Sequence, residues 1–178
     1  MEAILSFIPV PVAVILMAAG FVSLAVGGIR LGYKATVKNL ALDLVNVRLL
    51  LEPGMAEMAA LNASDEDIER IQRLCDRVES KIHSGDLYIE DDIAFHTCIA
   101  ESSKNMVVEQ LIPIIDTAVM MFVNVTHKKL TEETILTHRM ITEAIARHDS
   151  IGARSAMVMH LNFNRNCIRK LYDGEWET

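Results

Sequence analysis

The chain has 178 residues, which is enough for one domain with its own hydrophobic core and a further segment. Its 24 acidic and 17 basic side chains give a formal net charge of −7, which argues against the basic surface of a DNA-binding module. The three cysteines stand far apart with no CxxC spacing, a pattern that favours reduced thiols over a disulfide framework or a zinc knuckle.

The first predicted element is a hydrophobic segment. Residues 3–29 contain no charged side chain and would extend about 40 Å as a helix, more than the roughly 30 Å of a bilayer's hydrocarbon core. Positive charges follow at Arg30, Lys34 and Lys38, so the positive-inside rule places the remaining chain in the cytoplasm. We therefore expect residues 1–35 to be a transmembrane anchor that locates the protein at the inner membrane. A buried core helix, or the product of a truncated gene, is the alternative and predicts a cytoplasmic location.

The rest of the chain, residues 36–178, is predicted to fold as an all-α antiparallel bundle of about six helices. Ala, Leu, Ile, Val and Met dominate, and Gly and Pro are sparse after residue 54, which favours helices over turn-rich β-structure. Apolar residues recur close to a 3.6-residue period. The predicted helices span about 36–61, 65–84, 86–102, 106–127, 131–148 and 150–172.

Capping residues set several of these boundaries. Ser64, followed by three acids, is typical of a helix N-cap, and Gly85 is suited to a left-handed C-cap. Asp149 is expected to cap the last helix. The pair Pro53-Gly54 is expected to bend or interrupt the first helix.

Four side chains are candidates for one metal site. Asp92 and His96 are four residues apart, so on a helix they project from the same face. His138 and His160 are each eleven residues from Asp149, so in an antiparallel hairpin that turns there both lie about 16 Å from the turn and can face each other. Three imidazoles and a carboxylate suit a divalent ion such as Zn, Ni or Mn. Because Asp-x-x-x-His is common by chance, ordinary hydrogen-bonded core or surface histidines are the alternative.

The neighbouring candidates are weaker. Asp91 lies about 140° round the helix from His96, and Cys98 points away from the face that carries His96. The other three histidines lie near helix ends, where a histidine is electrostatically favoured without any further role. These are His83, His127 and His148.

Several segments agree in order and spacing with one known family. They are 48–53 (RLLLEP), 58–60 (MAA), Asp92-x-x-Phe95-His96, 102–105 (SSKN), 138–145 (HRMITEAI) with Asp149, and 160–161 (HL). Over residues 40–173 the chain thus resembles the FCD domain, the C-terminal effector-binding domain of FadR-type regulators in the GntR superfamily.

The resemblance implies an antiparallel bundle of six or seven helices with a divalent metal in a central cavity. The implied ligands are the four candidates, Asp92, His96, His138 and His160. It also implies that the metal and a buried Arg48 together hold a small organic acid, with Asn105 lining the cavity. Family members carry an N-terminal winged helix-turn-helix, whereas residues 1–35 are apolar and offer no basic recognition helix. We therefore expect no direct DNA binding by this chain.

The expected function is a metal-dependent, homodimeric sensor domain for a small carboxylate, of the type that regulates transcription, rather than an enzyme. A metal-dependent hydrolase is one alternative, because a His/Asp site with open positions can activate water. A truncated regulator that acts only as a dimerisation module is another.

Overall fold

A computed structural model of the protein describes residues 30–126 and 131–173. Within these ranges it contains seven helices and no strand, which confirms the predicted all-α fold. The helices are α1 (Arg30–Asn62), α2 (Asp65–Ser84), α3 (Ile89–Ser102), α4 (Met106–Glu109), α5 (Ile112–Thr126), α6 (Thr131–Ala146) and α7 (Ser150–Asp173).

The predicted location at the inner membrane is wrong. No helix in the described ranges is both long enough and apolar enough to cross a bilayer. The longest of these described helices, α1, has 33 residues but includes charged side chains such as Lys38, Asp43 and Arg48. The segment that was expected to span the membrane, residues 3–29, lies outside the described residues.

Two predicted helices differ from the observed ones. The first helix is not interrupted at Pro53. Instead, α1 continues to Asn62 with the proline inside it. The predicted fourth helix is divided into α4 and α5. Pro113 is the second residue of α5, a position where the missing proline N–H costs no helical hydrogen bond. This proline therefore favours a new helix start where the apolar pattern alone predicted continuity.

The predicted caps of α2 are present. The Ser64 side chain accepts a hydrogen bond from the Asp67 N–H, and the Asp67 carboxylate accepts one from the Ser64 N–H at 2.9 Å, which completes a capping box. Gly85 ends the helix with a φ of 77°, a left-handed conformation that glycine adopts without strain. The following helix begins at Ile89 rather than at the predicted residue 86.

The main core lies within the compact unit Lys38–Thr178 and surrounds the candidate site. Phe95 from α3, Ile141 from α6 and Leu161 from α7 are all completely buried in it. Burying side chains of this size stabilises the fold by about 1.5–3 kcal/mol each. Phe95 precedes His96 in the chain and Leu161 follows His160, so the packing that stabilises the bundle also sets the positions of these histidines.

The turn between α6 and α7 is fixed to the end of α1. His148 has a φ of 54°, which reverses the chain, and its Nδ1 lies 2.9 Å from the backbone oxygen of Ala60. Asp149 Oδ1 then accepts the Gly152 N–H at 2.8 Å, as predicted for the cap of the last helix. A Cβ atom on Gly152 would lie 2.2 Å from Asp149 Oδ2, so alanine at this position would displace the carboxylate from its present capping conformation.

Candidate metal centre

Three histidines from three helices meet in the bundle interior. His96 lies on α3, His138 on α6 and His160 on α7, and each is at most 3% exposed. The three residues offer one ring nitrogen each within 4.8 Å of one another. The ring centres of His138 and His160 are 4.8 Å apart, which agrees with the facing arrangement expected from their equal distances to the turn.

Asp92 joins this cluster. Its Oδ1 lies 3.4 Å from His138 Nε2 and 4.0 Å from His96 Nε2. The side chain is 7% exposed, so the carboxylate is largely removed from water. One carboxylate oxygen and three imidazoles therefore converge from three helices.

Buried polar atoms in this cluster have no hydrogen-bond partner among the described residues. They are Asp92 Oδ1 and both ring nitrogens of His138. Leaving a buried polar group unpaired costs about 1–3 kcal/mol, so such groups are rare unless something else satisfies them. Oxygen and nitrogen donors of this kind match the ligand preferences of Zn, Ni and Mn, and the donor set thus fits a divalent ion.

Hydrogen bonds outside the cluster orient two of the rings. Glu52 Oε2 lies 2.8 Å from His96 Nδ1, so this nitrogen carries the proton and donates it, which leaves Nε2 as the free ligand atom. Thr137 Oγ1 donates to the Glu133 carbonyl at 2.6 Å and lies 2.9 Å from His160 Nδ1. The threonine oxygen therefore accepts the N–H of His160 and leaves its Nε2 free to bind an ion.

Arg48 lies beside the cluster and is 1% exposed. Its guanidinium donates twice to Glu52, from Nε to Oε1 at 2.5 Å and from Nη2 to Oε2 at 3.2 Å. The same Nη2 lies 3.1 Å from His96 Nε2. Asn164 is also close, with its Nδ2 3.3 Å from His160 Nε2. A metal ion at these ring nitrogens would replace both contacts.

Burial dominates the electrostatics of the centre. It lowers the pKa of His138 and of His160 well below 6.5, and the neighbouring His96 and Arg48 lower both pKa values further. Burial raises the pKa of Asp92 above its ordinary value, although His96 and Arg48 oppose the shift. Burial also raises the pKa of Glu52, but Arg48 and His96 outweigh it and hold that pKa well below 4.5. Neutral imidazoles, the form that binds metals, are therefore favoured at neutral pH.

The other predicted residues lie elsewhere. Asn105 caps α4, with its Oδ1 3.0 Å from the Val107 nitrogen, and its Nδ2 lies 3.8 Å from Met58 Sδ. Its role in ligand binding stays a prediction. Asp91 pairs with Arg77 and with Lys81 of α2.

Cys98 is buried in the main hydrophobic core, in agreement with its exclusion from the set of metal ligands. His83 is exposed in the last turn of α2, and His148 sits in the turn after α6, as their positions near helix ends predicted. His127 lies outside the described residues.

Two residues of the centre were missed from the sequence. Glu52 is four residues after Arg48, a spacing that predicts an ion pair on one helix face and was a usable signal. Thr137 is 23 residues from His160, and nothing in the sequence indicates their contact.

The family model of the FCD domain matches residues 43–163. The chain belongs to the FCD domain family. Among relatives of this FCD domain, the transcriptional regulator LutR of Bacillus subtilis is 31% identical over 130 residues, which are 67% of this chain and 58% of LutR. The putative L-lactate dehydrogenase operon regulatory protein of Escherichia coli K12 is 29% identical over 75% of this chain and 53% of its own length.

A solved structure agrees with this family. The GntR protein of Streptococcus agalactiae superimposes with a TM-score of 0.64 at 30% identity, covering 72% of this chain and 59% of that protein. This chain spans about half the length of the curated relatives that it matches. LutR is described as a transcriptional regulator and the Escherichia coli relative as an operon regulatory protein.

Proposed function

We propose that this FCD domain is a metal-dependent sensor that binds a small organic acid and takes part in transcription regulation. The proposed ligands of a divalent ion, Zn, Ni or Mn, are Asp92, His96, His138 and His160. When bound, the ion supplies an electrophilic centre with open positions to which a carboxylate oxygen can attach. Arg48, whose Nη2 lies 3.1 Å from His96 Nε2, supplies a hydrogen-bond donor beside it.

The observation that carries this proposal is the state of His138. Both of its ring nitrogens are buried and make no hydrogen bond among the described residues; the nearest acceptor, Asp92 Oδ1, lies 3.4 Å from Nε2 without hydrogen-bonding geometry. The ring stacks on Phe95 with 4.2 Å between ring centres. A structural core histidine would ordinarily have at least one hydrogen-bond partner. Here Asp92 and two further imidazoles surround it instead, which is the environment of a metal ligand.

The names of the relatives support the regulatory and non-enzymatic part of the proposal. LutR and the lactate dehydrogenase operon protein are both described as regulators. The second name refers to the operon of L-lactate dehydrogenase, and lactate is a small organic acid. We further propose that the domain acts as a homodimer, which sedimentation of the purified protein would measure.

The test is metal content measured together with thermal stability. The purified protein should contain about one divalent ion per chain, and chelation should lower its melting temperature, because an ion that binds only the folded state stabilises it by mass action. His138→Ala should abolish both effects. His83→Ala is the matched control, because His83 is exposed in α2 and should leave metal content unchanged. The proposal fails if the chain binds no divalent metal, or if His138→Ala retains it.

A further inference from the structure

The carboxylate-binding side of Arg48 is already occupied within the chain. Resting on the proposed function, we propose that Glu52 acts as a built-in carboxylate at Arg48, so that the site selects acids with one carboxylate over acids with two. Glu52 would then be a specificity-determining residue of the sensor.

The geometry of the pair is that of a bound acid. Arg48 presents Nε and Nη2 to Oε1 and Oε2 of Glu52, at 2.5 and 3.2 Å. Two parallel N–H···O bonds of this kind are how arginine recognises a free carboxylate. The pair is 1% and 3% exposed at its side chains, so water does not weaken the contact. A ligand carboxylate could take this side of Arg48 only by displacing Glu52.

Displacement is opposed by a second contact. Glu52 Oε2 also accepts the proton of His96 Nδ1 at 2.8 Å. Moving Glu52 away would break three hydrogen bonds and leave its own charge buried and unpaired, a change that costs several kcal/mol. We therefore treat Glu52 as a fixed part of the site during ligand binding.

The charge balance of the site also favours an acid with one carboxylate. Arg48 and Glu52 neutralise each other, and Asp92 cancels one of the two charges of a divalent ion. One positive charge then remains in a buried site, which a single ligand carboxylate neutralises. A second carboxylate would have no counter-charge there, and burying an uncompensated charge is strongly unfavourable.

The test compares two acids of equal carbon number by calorimetry on the zinc-loaded protein. 2-Hydroxybutanoate and malate share a 2-hydroxy acid end and differ only in whether the far end is a methyl or a carboxylate. The wild-type protein should bind 2-hydroxybutanoate at least tenfold more tightly than malate. Glu52→Gln, which removes the built-in charge and frees Arg48, should shift the ratio of the two affinities at least tenfold towards malate.

A double variant separates the role of Arg48 from a general loosening of the site. Arg48→Gln combined with Glu52→Gln removes both charges of a neutral pair, so the preference for 2-hydroxybutanoate should remain as in the wild type. The inference is wrong if the folded Glu52→Gln protein keeps the wild-type ratio, or if the double variant behaves like the single one.

The wild-type ratio decides the inference even where Glu52→Gln does not fold. Malate binding as tightly as 2-hydroxybutanoate would overturn the role of Glu52 and leave the metal-dependent sensor intact. A wild-type protein that binds neither zinc nor any acid would instead overturn the proposed function itself.

Discussion

A threonine hydroxyl has one proton to donate, and this limit makes Thr137 informative. Its proton goes to the carbonyl of Glu133 one turn earlier, at 2.6 Å, so towards His160 Nδ1 the same oxygen can only accept. The contact therefore fixes which ring nitrogen of His160 holds the proton. Outer contacts of this kind determine whether a histidine is ready to bind an ion.

Replacing Thr137 by valine should weaken metal binding without disturbing the core. Valine has nearly the same shape but cannot accept the N–H of His160, so metal affinity should fall about 10- to 100-fold. Competition with a chromophoric chelator measures this.

Thr126→Val is the control for that change, because Thr126 is also buried and donates to the carbonyl four residues earlier, at 3.0 Å. It should leave the affinity unchanged. Equal losses in the two variants would show that the hydroxyl matters only for helix packing.

The sequence predicts part of this centre for clear physical reasons. The i, i+4 spacing of Asp92 and His96 and the equal distances of His138 and His160 from the turn both follow from helical geometry, and the structure brings all four together. Glu52 and Thr137 depend instead on how separate helices approach each other. That approach is set by core packing, which no local spacing records.

At the scale of single helices, glycine has opposite effects at two positions. Gly152 allows Asp149 to cap α7, because a Cβ there would lie 2.2 Å from a carboxylate oxygen. Gly54 lies inside α1, and a Cβ at that position would have nothing within 4 Å. The same substitution by alanine therefore tests a cap in one case and helix propensity in the other.

Gly152→Ala should lower the free energy of unfolding by about 1 kcal/mol, the usual effect of a lost N-cap. Gly54→Ala should raise it by about 0.5–1 kcal/mol, because alanine loses less backbone entropy in a helix. Urea denaturation followed by circular dichroism measures both. Two changes of the same sign would contradict this interpretation.

Local sequence patterns predicted some of the helix boundaries and not others. The caps at Ser64 and Gly85 were predicted because each satisfies backbone groups within a few residues. At Pro53 the sequence left a bend and an interruption both open, and α1 continues through the proline because packing of that helix against the bundle outweighs one missing hydrogen bond.

For the whole molecule, the buried histidines predict how the metal-free protein responds to acid. The pKa values of His138 and His160 are lower in the folded state than the ordinary 6.5, so below that pH the unfolded chain binds more protons. Stability should be fully present above pH 6.5 and should fall as the pH decreases, by up to about 1.4 kcal/mol per pH unit for each histidine. Burial raises the pKa of Asp92, so this carboxyl opposes the trend at pH values between its ordinary pKa of 3.8 and its raised one.

Chemical denaturation in the presence of a chelator at pH 7.5, 6.0 and 5.0 measures this dependence. His138→Gln combined with His160→Gln should flatten it, because glutamine does not titrate. Stability that is constant across these pH values in the wild-type protein would rule out neutral, buried imidazoles in the metal-free state.

The contact between His148 and Ala60 joins the turn of the α6–α7 hairpin to the end of α1. From this point His138 lies ten residues away along one arm and Arg48 lies twelve residues from Ala60 along another, about 15 and 18 Å at helical rise. With levers of this length, a displacement of 1 Å at the site rotates an arm by about 4°. An ion that draws the two arms together would therefore change the angle between the helices as well as the positions of the buried side chains.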